Sequence, residues 1–435
     1  MKIAKAPKAS KINSVMVGLS LCAKQPHRVT QVFAPLLGPQ LAPTRAVHSW
    51  FCFVIVGAVL LVHGANVQAQ VGSATPAAGG FLPQVLPTEA APQAGGILQE
   101  LWRLPPPILR NKSRWVPVRW SELPGFADDA LFEAWNAWVK SCERPPSEFA
   151  GLCPQIRRMS IASLGEQVGW MMEKLQPYRV ETMTGEAQGL LTGYFEPLLE
   201  GSRKPTAQFS VPLHRPPASM AKKPWFSREE IDTLPAAQAQ LQGRAIAFIE
   251  DPVDALLLQI QGSGRIRLRA TDGSPQGVIR LAFAATNEQP YKSVGRWLLD
   301  QGALRDASWP AIKAWTQANP AKVQNMLWSN PRVVFFREEA TDADPGAGPR
   351  GAQGVPLTAG RSIAVDPGSI PYGTPVWLAT SGPTVNLSRL VLAQDTGSAI
   401  QGAVRADYFV GPGDDAGELA GRLKQPLQLW VLWPR

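Results

Sequence analysis

Between residues 393 and 411 the chain reads AQDTGSAIQGAVRADYFVG, which sets Asp395 and Asp407 twelve positions apart among glycines and apolar residues, with Arg405 the one nearby cation. A third acid, Asp366, stands in SIAVDPGSIPYGT. A carboxylate at the end of a short apolar run, beside Gly, Pro or Thr, sits at a surface or in a cleft rather than in a packed core. For Asp366 and Asp395 the ordinary alternative is turn capping, in which the side chain bonds its own backbone. Asp407 has no turn signature after it. The alternation of Arg-Ala-Asp-Tyr-Phe reads as a strand, so this carboxyl needs a cleft or a partner. Proton transfer by carboxylates is the chemistry such a set supports.

Composition removes the competitors. Of four histidines, His27, His48 and His63 lie in the first 69 residues, leaving His214 in the proline-flanked loop VPLHRPP. A Ser-His-Asp or Cys-His relay would rest on that single imidazole, and a histidine zinc site is almost excluded. No metal and no cofactor is expected. The net charge is +9, but seven of those charges come from Lys2, Lys5, Lys8, Lys11, Lys24, Arg28 and Arg45, with no acid among residues 1–69. The remainder carries no basic cluster, so no nucleic-acid partner is expected.

That basic leader also contains WFCFVIVGAVLLV (50–62), an uncharged run of thirteen residues followed by Val67-Gln68-Ala69. The run is short for a bilayer span and suits the core of an export signal over 1–69, a retained membrane anchor being the alternative. Leu19-Ser20-Leu21-Cys22 has the outline of a lipoprotein box, but Leu21 is too large for its position. Residues 70–98, rich in Pro, Ala and Gly, read as a flexible tether. Beyond them only Cys142 and Cys153 remain, across ERPPSEFAGL. An oxidising compartment favours a disulfide between them, against two buried thiols.

The elements that must position the three acids follow from periodicity. Leu131, Trp135 and Trp138 recur at helical spacing after Asp128-Asp129, and Leu164, Val168, Met171, Met172 and Leu175 follow the capping box Ser163-x-x-Glu166. The spacing then shortens. LLTGYFEP (190–197), RAIAFIE (244–250), DALLLQI (254–260) and RIRLRA (265–270) read as strands. Helices return in YKSVGRWLLDQG, in SWPAIKAW with Ser308 as cap, and in NPAKVQNMLW with Pro320 at the first helical position. RVVFFR (332–337) is a strand, residues 343–354 are a loop, and RSIAVD, TPVWLA, RLVLAQD and PLQLWVLW give an all-β close. The fold class expected is mainly β with flanking helices.

TGYFEP (192–197), LQIQGSGRIRL (258–268), VGRWLLDQG (294–302), NPRVVFF (330–336), SIAVDPGSIPYGTPVWL (362–378) and DTGSAIQGAVRADYFVGPG (395–413), in that order, resemble the membrane-bound lytic murein transglycosylase A family with its C-terminal three-aspartate domain. The resemblance implies a double-psi β-barrel made from residues 99–196 and 332–435, with a smaller β-containing domain, 197–331, inserted and a glycan cleft between them. It places the catalytic acid on Asp407 and makes Asp395 and Asp366 supporting groups. Thr192, Tyr194 and Phe195 become candidates for contact with sugar, the alternative being ordinary strand core. Gln261, Gly262, Ser263 and Gly264 lack the Lys and spacing of a phosphate loop, and fit a polar turn that lets a glycan approach. Glu196, before Pro197, reads as structural.

The implied reaction cleaves the bond between N-acetylmuramic acid and N-acetylglucosamine and leaves a 1,6-anhydro sugar. One carboxyl then serves as acid and afterwards as base, because the attacking 6-hydroxyl belongs to the substrate and a tethered nucleophile reaches effective molarities of about 10⁵ M. Ordinary glycosidases need two acids because water must be activated. For the first step Asp407 must hold its proton near neutrality. Arg405, on the same strand face, would oppose that, so it is expected to pair with Asp395 or another acid. Two rivals stand beside this: a hydrolase using Asp407 and Asp395 together, and a non-catalytic glycan-binding module. The partner implied is the peptidoglycan glycan strand, met by a monomer exported to the periplasm and associated with the outer membrane. Membership of a cell-wall synthase complex stays open.

Overall fold

The computed structural model describes residues 104–221, 224–340 and 346–435. The export signal expected over 1–69 and the tether over 70–98 lie outside the described residues. Strands β1 (Ile108–Leu109), β2 (Arg114–Pro117), β3 (Leu175–Glu181) and β4 (Gly189–Glu196) come first. A second group follows: β5 (Leu198–Ser202), β6 (Val211–His214), β7 (Ala245–Ile249), β8 (Ser263–Arg269), β9 (Pro275–Thr286) and β10 (Val334–Glu339). The chain closes with β11 (Ser362–Val365), β12 (Pro375–Ser381), β13 (Asn386–Asp395), β14 (Arg405–Pro412) and β15 (Lys424–Pro434).

The first and last groups form one sheet in the order β1-β2-β3-β15-β12-β13-β11-β14-β4, and β4 also pairs with β15. Strands β15, β12, β13, β11, β14 and β4 therefore close on themselves as a barrel, which removes their free edges. Alternation fills its interior: Ile363, Val365, Val376, Leu378, Val391, Ala406, Leu429 and Val431 share one buried cluster. The helix Leu131–Ser141 lies over β13, where Trp135 and Trp138 are core residues.

The expected capping box forms, Ser163 accepting from the Glu166 N–H and Glu166 accepting from the Ser163 N–H. Asp129 does not cap the helix it precedes. Its carboxylate takes the Leu390 N–H at 2.8 Å and the guanidinium of Arg361 at 2.8 Å, and Arg361 also reaches Glu133 at 2.9 Å. Cys142 and Cys153 are joined by a disulfide.

The second group forms a separate sheet in the order β10-β9-β8-β5-β7-β6. Because β10 pairs with β9, this sheet continues to Glu339, past the division at residue 331 drawn from the sequence. The run 254–260, expected as a strand, lies in the helix Pro252–Gln261. Asp251 caps it, Pro252 opens it, and Gly262 ends it with φ +81°, a left-handed conformation that suits glycine. A short apolar run has no periodicity of its own to separate strand from helix, and here the flanking caps decide. Glu196, at the end of β4, is fully buried and binds Arg265 of β8 at 2.8 Å and Arg280 of β9 at 2.7 Å. It joins the barrel to the second sheet, as the structural reading expected.

Arg361 is 1 % exposed, so removing its charge strands the Asp129 carboxylate in the core. Arg361→Met is expected to cost about 3–5 kcal/mol in chemical denaturation, a loss that the accompanying change Asp129→Leu largely recovers.

Candidate active site

Three strands bring two of the acids level. Ala364 of β11 is the register partner of Asp395 on β13 and of Asp407 on β14, and Asp407 is in turn the partner of Thr192 on β4. Asp395 and Asp407 thus flank a small residue, two strand spacings or about 10 Å apart along the backbone. Parallel pairing sets Tyr194 opposite Phe409, and their rings meet at 5.3 Å between centroids. Tyr194, Leu357, Ala364, Ile400 and Phe409 make a separate apolar cluster. Both acids lie against this cluster and line a cavity of about 680 Å³. Its opposite wall comes from the second sheet and its helix, through Gln261, Gly262, Ser263, Phe283 and Arg332.

Hydrogen bonds separate the three acids. Thr192 Oγ1 donates to Asp407 Oδ1 at 2.5 Å. Tyr194 Oη donates to Asp395 Oδ2 at 3.0 Å, and the Ala352 N–H donates to Asp395 Oδ1 at 2.9 Å. Asp366 lies outside the cavity lining and is 4 % exposed. It takes Lys112 Nζ at 2.9 Å and the N–H groups of Gly402 at 2.8 Å and Gly368 at 3.0 Å. The bond to Gly402 pins the loop that runs from Asp395 to Asp407.

Their proton affinities diverge accordingly. Burial pushes Asp407 above the usual carboxylate range, against the opposing Thr192 hydrogen bond and Arg405 charge. Burial raises Asp395 to about 6, the negative Asp407 adding to it while the N–H groups of Thr396 and Ala352 and the Tyr194 hydroxyl oppose. Burial alone would also raise Asp366, but the Gly402 N–H, Lys112 and the Gly368 N–H outweigh it and hold that carboxyl low. Tyr194 is pushed well up by burial and by both neighbouring acids, so its phenol keeps its proton.

Of the residues singled out in the sequence for sugar contact, Gln261, Gly262 and Ser263 line the cavity, whereas Thr192, Tyr194, Phe195 and Gly264 do not. Thr192 and Tyr194 face the acids and bond them through their hydroxyls, with the Tyr194 ring buried in the apolar cluster. Phe195 points to the other strand face, where its ring lies against Gly417 in the helix Asp414–Arg422. Its N–H donates to Gln261 Oε1 at 3.0 Å, which ties β4 to the cavity wall. Gly264 is buried and outside the lining.

Arg405 does not bond Asp395. Its guanidinium donates to the carbonyls of Leu190 and Ala406 and to Thr192 Oγ1. Sequence reasoning missed the amides behind Asp395. Gln394 donates to the Ala137 carbonyl and to Ser141 Oγ, and Gln353 to the carbonyls of Ser141 and Arg144. A glutamine next to the acid in LVLAQD was the only signal.

Because burial raises Asp395, its ionisation weighs against the folded state above about pH 6 and not below the unfolded carboxyl range. Asp395→Asn is expected to stabilise the protein at about pH 8 by up to about 3 kcal/mol, the gain fading as the pH falls to about 4, in thermal melts across that range.

Comparison with known proteins agrees with this arrangement. The chain matches the MltA specific insert domain over residues 190–337 and the 3D domain over residues 361–433. It is 31 % identical over 275 residues to membrane-bound lytic murein transglycosylase A of Escherichia coli strain K12, covering 60 % of this chain and 68 % of that protein. Among solved structures, the lytic transglycosylase LtgG of Burkholderia pseudomallei is 42 % identical with a TM-score of 0.53, covering 77 % of this chain and 97 % of its own. MltA from Neisseria gonorrhoeae is 29 % identical with a TM-score of 0.63, covering 75 % and 96 %. With the barrel, the second sheet and the acid-lined cavity between them, these likenesses show that the chain belongs to the membrane-bound lytic murein transglycosylase A family.

Proposed function

We propose that this enzyme is a peptidoglycan lytic transglycosylase in which Asp407 acts first as acid and then as base. The observation that carries the assignment is the position of Asp407: in the cavity wall, against an apolar cluster, with one oxygen held by Thr192 and burial favouring the protonated form. A glycan strand in the cleft presents its glycosidic oxygen to that proton. The C1–O4 bond breaks, its electron pair stays with O4, and O4 leaves bearing the proton. The muramyl O6 then attacks C1 as its hydrogen passes to the Asp407 carboxylate, which restores the enzyme. Asp395 lines the same cavity one strand beyond Ala364, and Asp366 holds the connecting loop.

Substrate distortion is needed to bring O6 to C1, and a cleft contacting several sugars supplies binding energy for it. The disulfide supports folding in an oxidising compartment, consistent with export to the periplasm and association with the outer membrane. Among the described residues no helix is long and apolar enough to cross a membrane.

Asp407→Asn is expected to lower turnover of purified murein by about a thousandfold or more while sacculus binding persists. Mass spectrometry of the wild-type digest should give anhydro ends. Reducing ends alone would favour the two-carboxylate hydrolase, and full activity in the variant would move the acid elsewhere.

A further inference from the structure

Arg405 has no role in the two steps just described, yet its guanidinium is held firmly beside the reacting acid. It sits two residues before Asp407 on β14, where Nη1 donates to the Leu190 carbonyl at 3.4 Å and to the Ala406 carbonyl. Nη2 donates to Thr192 Oγ1 at 2.8 Å. Thr192 Oγ1 donates to Asp407 Oδ1 at 2.5 Å.

A guanidinium only donates, and a hydroxyl has a single proton. With Arg405 feeding into the threonine oxygen, the hydroxyl proton is directed to Asp407 Oδ1. An oxygen that accepts there is not the one carrying the acid proton. We propose that Arg405 is a positioning residue that acts through Thr192 to fix the catalytic proton of Asp407 on Oδ2, the oxygen left to the cavity. The inference rests on Asp407 being the reacting acid.

The chain serves both half-reactions without rearranging. In the first, Oδ2–H gives its proton to the leaving O4 while Oδ1 keeps the Thr192 bond. In the second, Oδ2 takes the proton of O6 as the O6–C1 bond forms, again with Oδ1 unchanged. The interposed hydroxyl also resolves a conflict. A direct Arg–Asp ion pair would strip the acid of its proton near neutrality, whereas a cation one hydroxyl away supports the carboxylate formed in step one and leaves burial dominant beforehand.

Other groups around Asp407 are Asp395 and Tyr194 on the barrel, Ala364 on β11, and the exposed Lys424 of β15 opposite Thr192. Arg332, Arg337 and Arg350 line the cavity, and the acids of the helix Asp414–Arg422 are exposed. Of all these, Arg405 is bonded to the hydroxyl that bonds Asp407.

The test is the pH dependence of kcat on purified murein for Arg405→Gln, Arg405→Lys, Thr192→Val, Thr192→Ser and the Gln/Val double variant. The alkaline limb reports the acid that must be protonated. Losing the cation disfavours the carboxylate, so in Arg405→Gln the limb should move up by about half a unit or more, with kcat down about tenfold and KM within about twofold. Arg405→Lys should return the limb toward wild type, and Thr192→Ser should keep most of kcat. The double variant should be no worse than the poorer single variant, since both cut one chain. An unmoved limb, or losses that multiply in the double variant, overturns the proposal. Should Arg405→Gln fail to fold by circular dichroism, the Arg405→Lys and Thr192→Val profiles decide. Asp407→Asn run alongside keeps the two assignments apart: if it stays active, the acid itself is wrong, and if it is dead while the relay tests fail, only the relay is wrong.

Discussion

Strand β4 is laid down before the second sheet and β14 well after it, yet the two pair in parallel with Thr192 opposite Asp407. That pairing closes the barrel, because β4 is also the neighbour of β15. It also carries β4 out of the barrel to Glu196, whose fully buried carboxylate takes Arg265 and Arg280. Breaking one partner of such a buried set is costly, so the angle between the sheets is tied to the same strand that meets the acid. The cleft and its reacting group are set by one element.

Three aspartates with the same chemistry are driven to three states by their surroundings. Asp366 gathers two backbone N–H groups and an ammonium and stays charged. Asp395, half-buried in the cavity wall, receives a phenol and an N–H. Asp407, half-buried against the same cluster, receives a single hydroxyl. Desolvation is common to all, and the number and charge of donors separates them. The apolar patch beneath the cleft is therefore part of the chemistry, since burial is the effect that pushes Asp407 toward its protonated form.

Much of this was legible in the amino-acid order because local rules governed it. Ser163 and Glu166 cap a helix within one turn, and the tryptophans at 135 and 138 lie on its buried side as their spacing requires. The closing strands alternate as their sequences do. What was missed divides between local signals that the apolar composition masked and contacts distant in the chain. The helix at 252–261 hides in an apolar run, and its caps outweighed the strand-like composition. Phe195 looks like a sugar platform until alternation puts it behind the strand. Arg405 was expected to seek an acid, but the threonine across the strand boundary stood nearer. The roles of Gln353 and Lys112 depend on partners more than two hundred residues away, which no local pattern announces.

Gly193 lies beneath the backbone of Ala420, and a Cβ there would stand 2.8 Å from the Ala420 Cα. Gly417 in turn takes the Phe195 side-chain ring. Backbone therefore packs on backbone at Gly193, and an aromatic ring fills the space over Gly417, so neither point has room for an added Cβ. The helix acts as a splint: the height of Thr192 and Tyr194 above the barrel is machined by these two close approaches. Even an alanine at 193 would lift the strand and detune the hydroxyl that meets the acid.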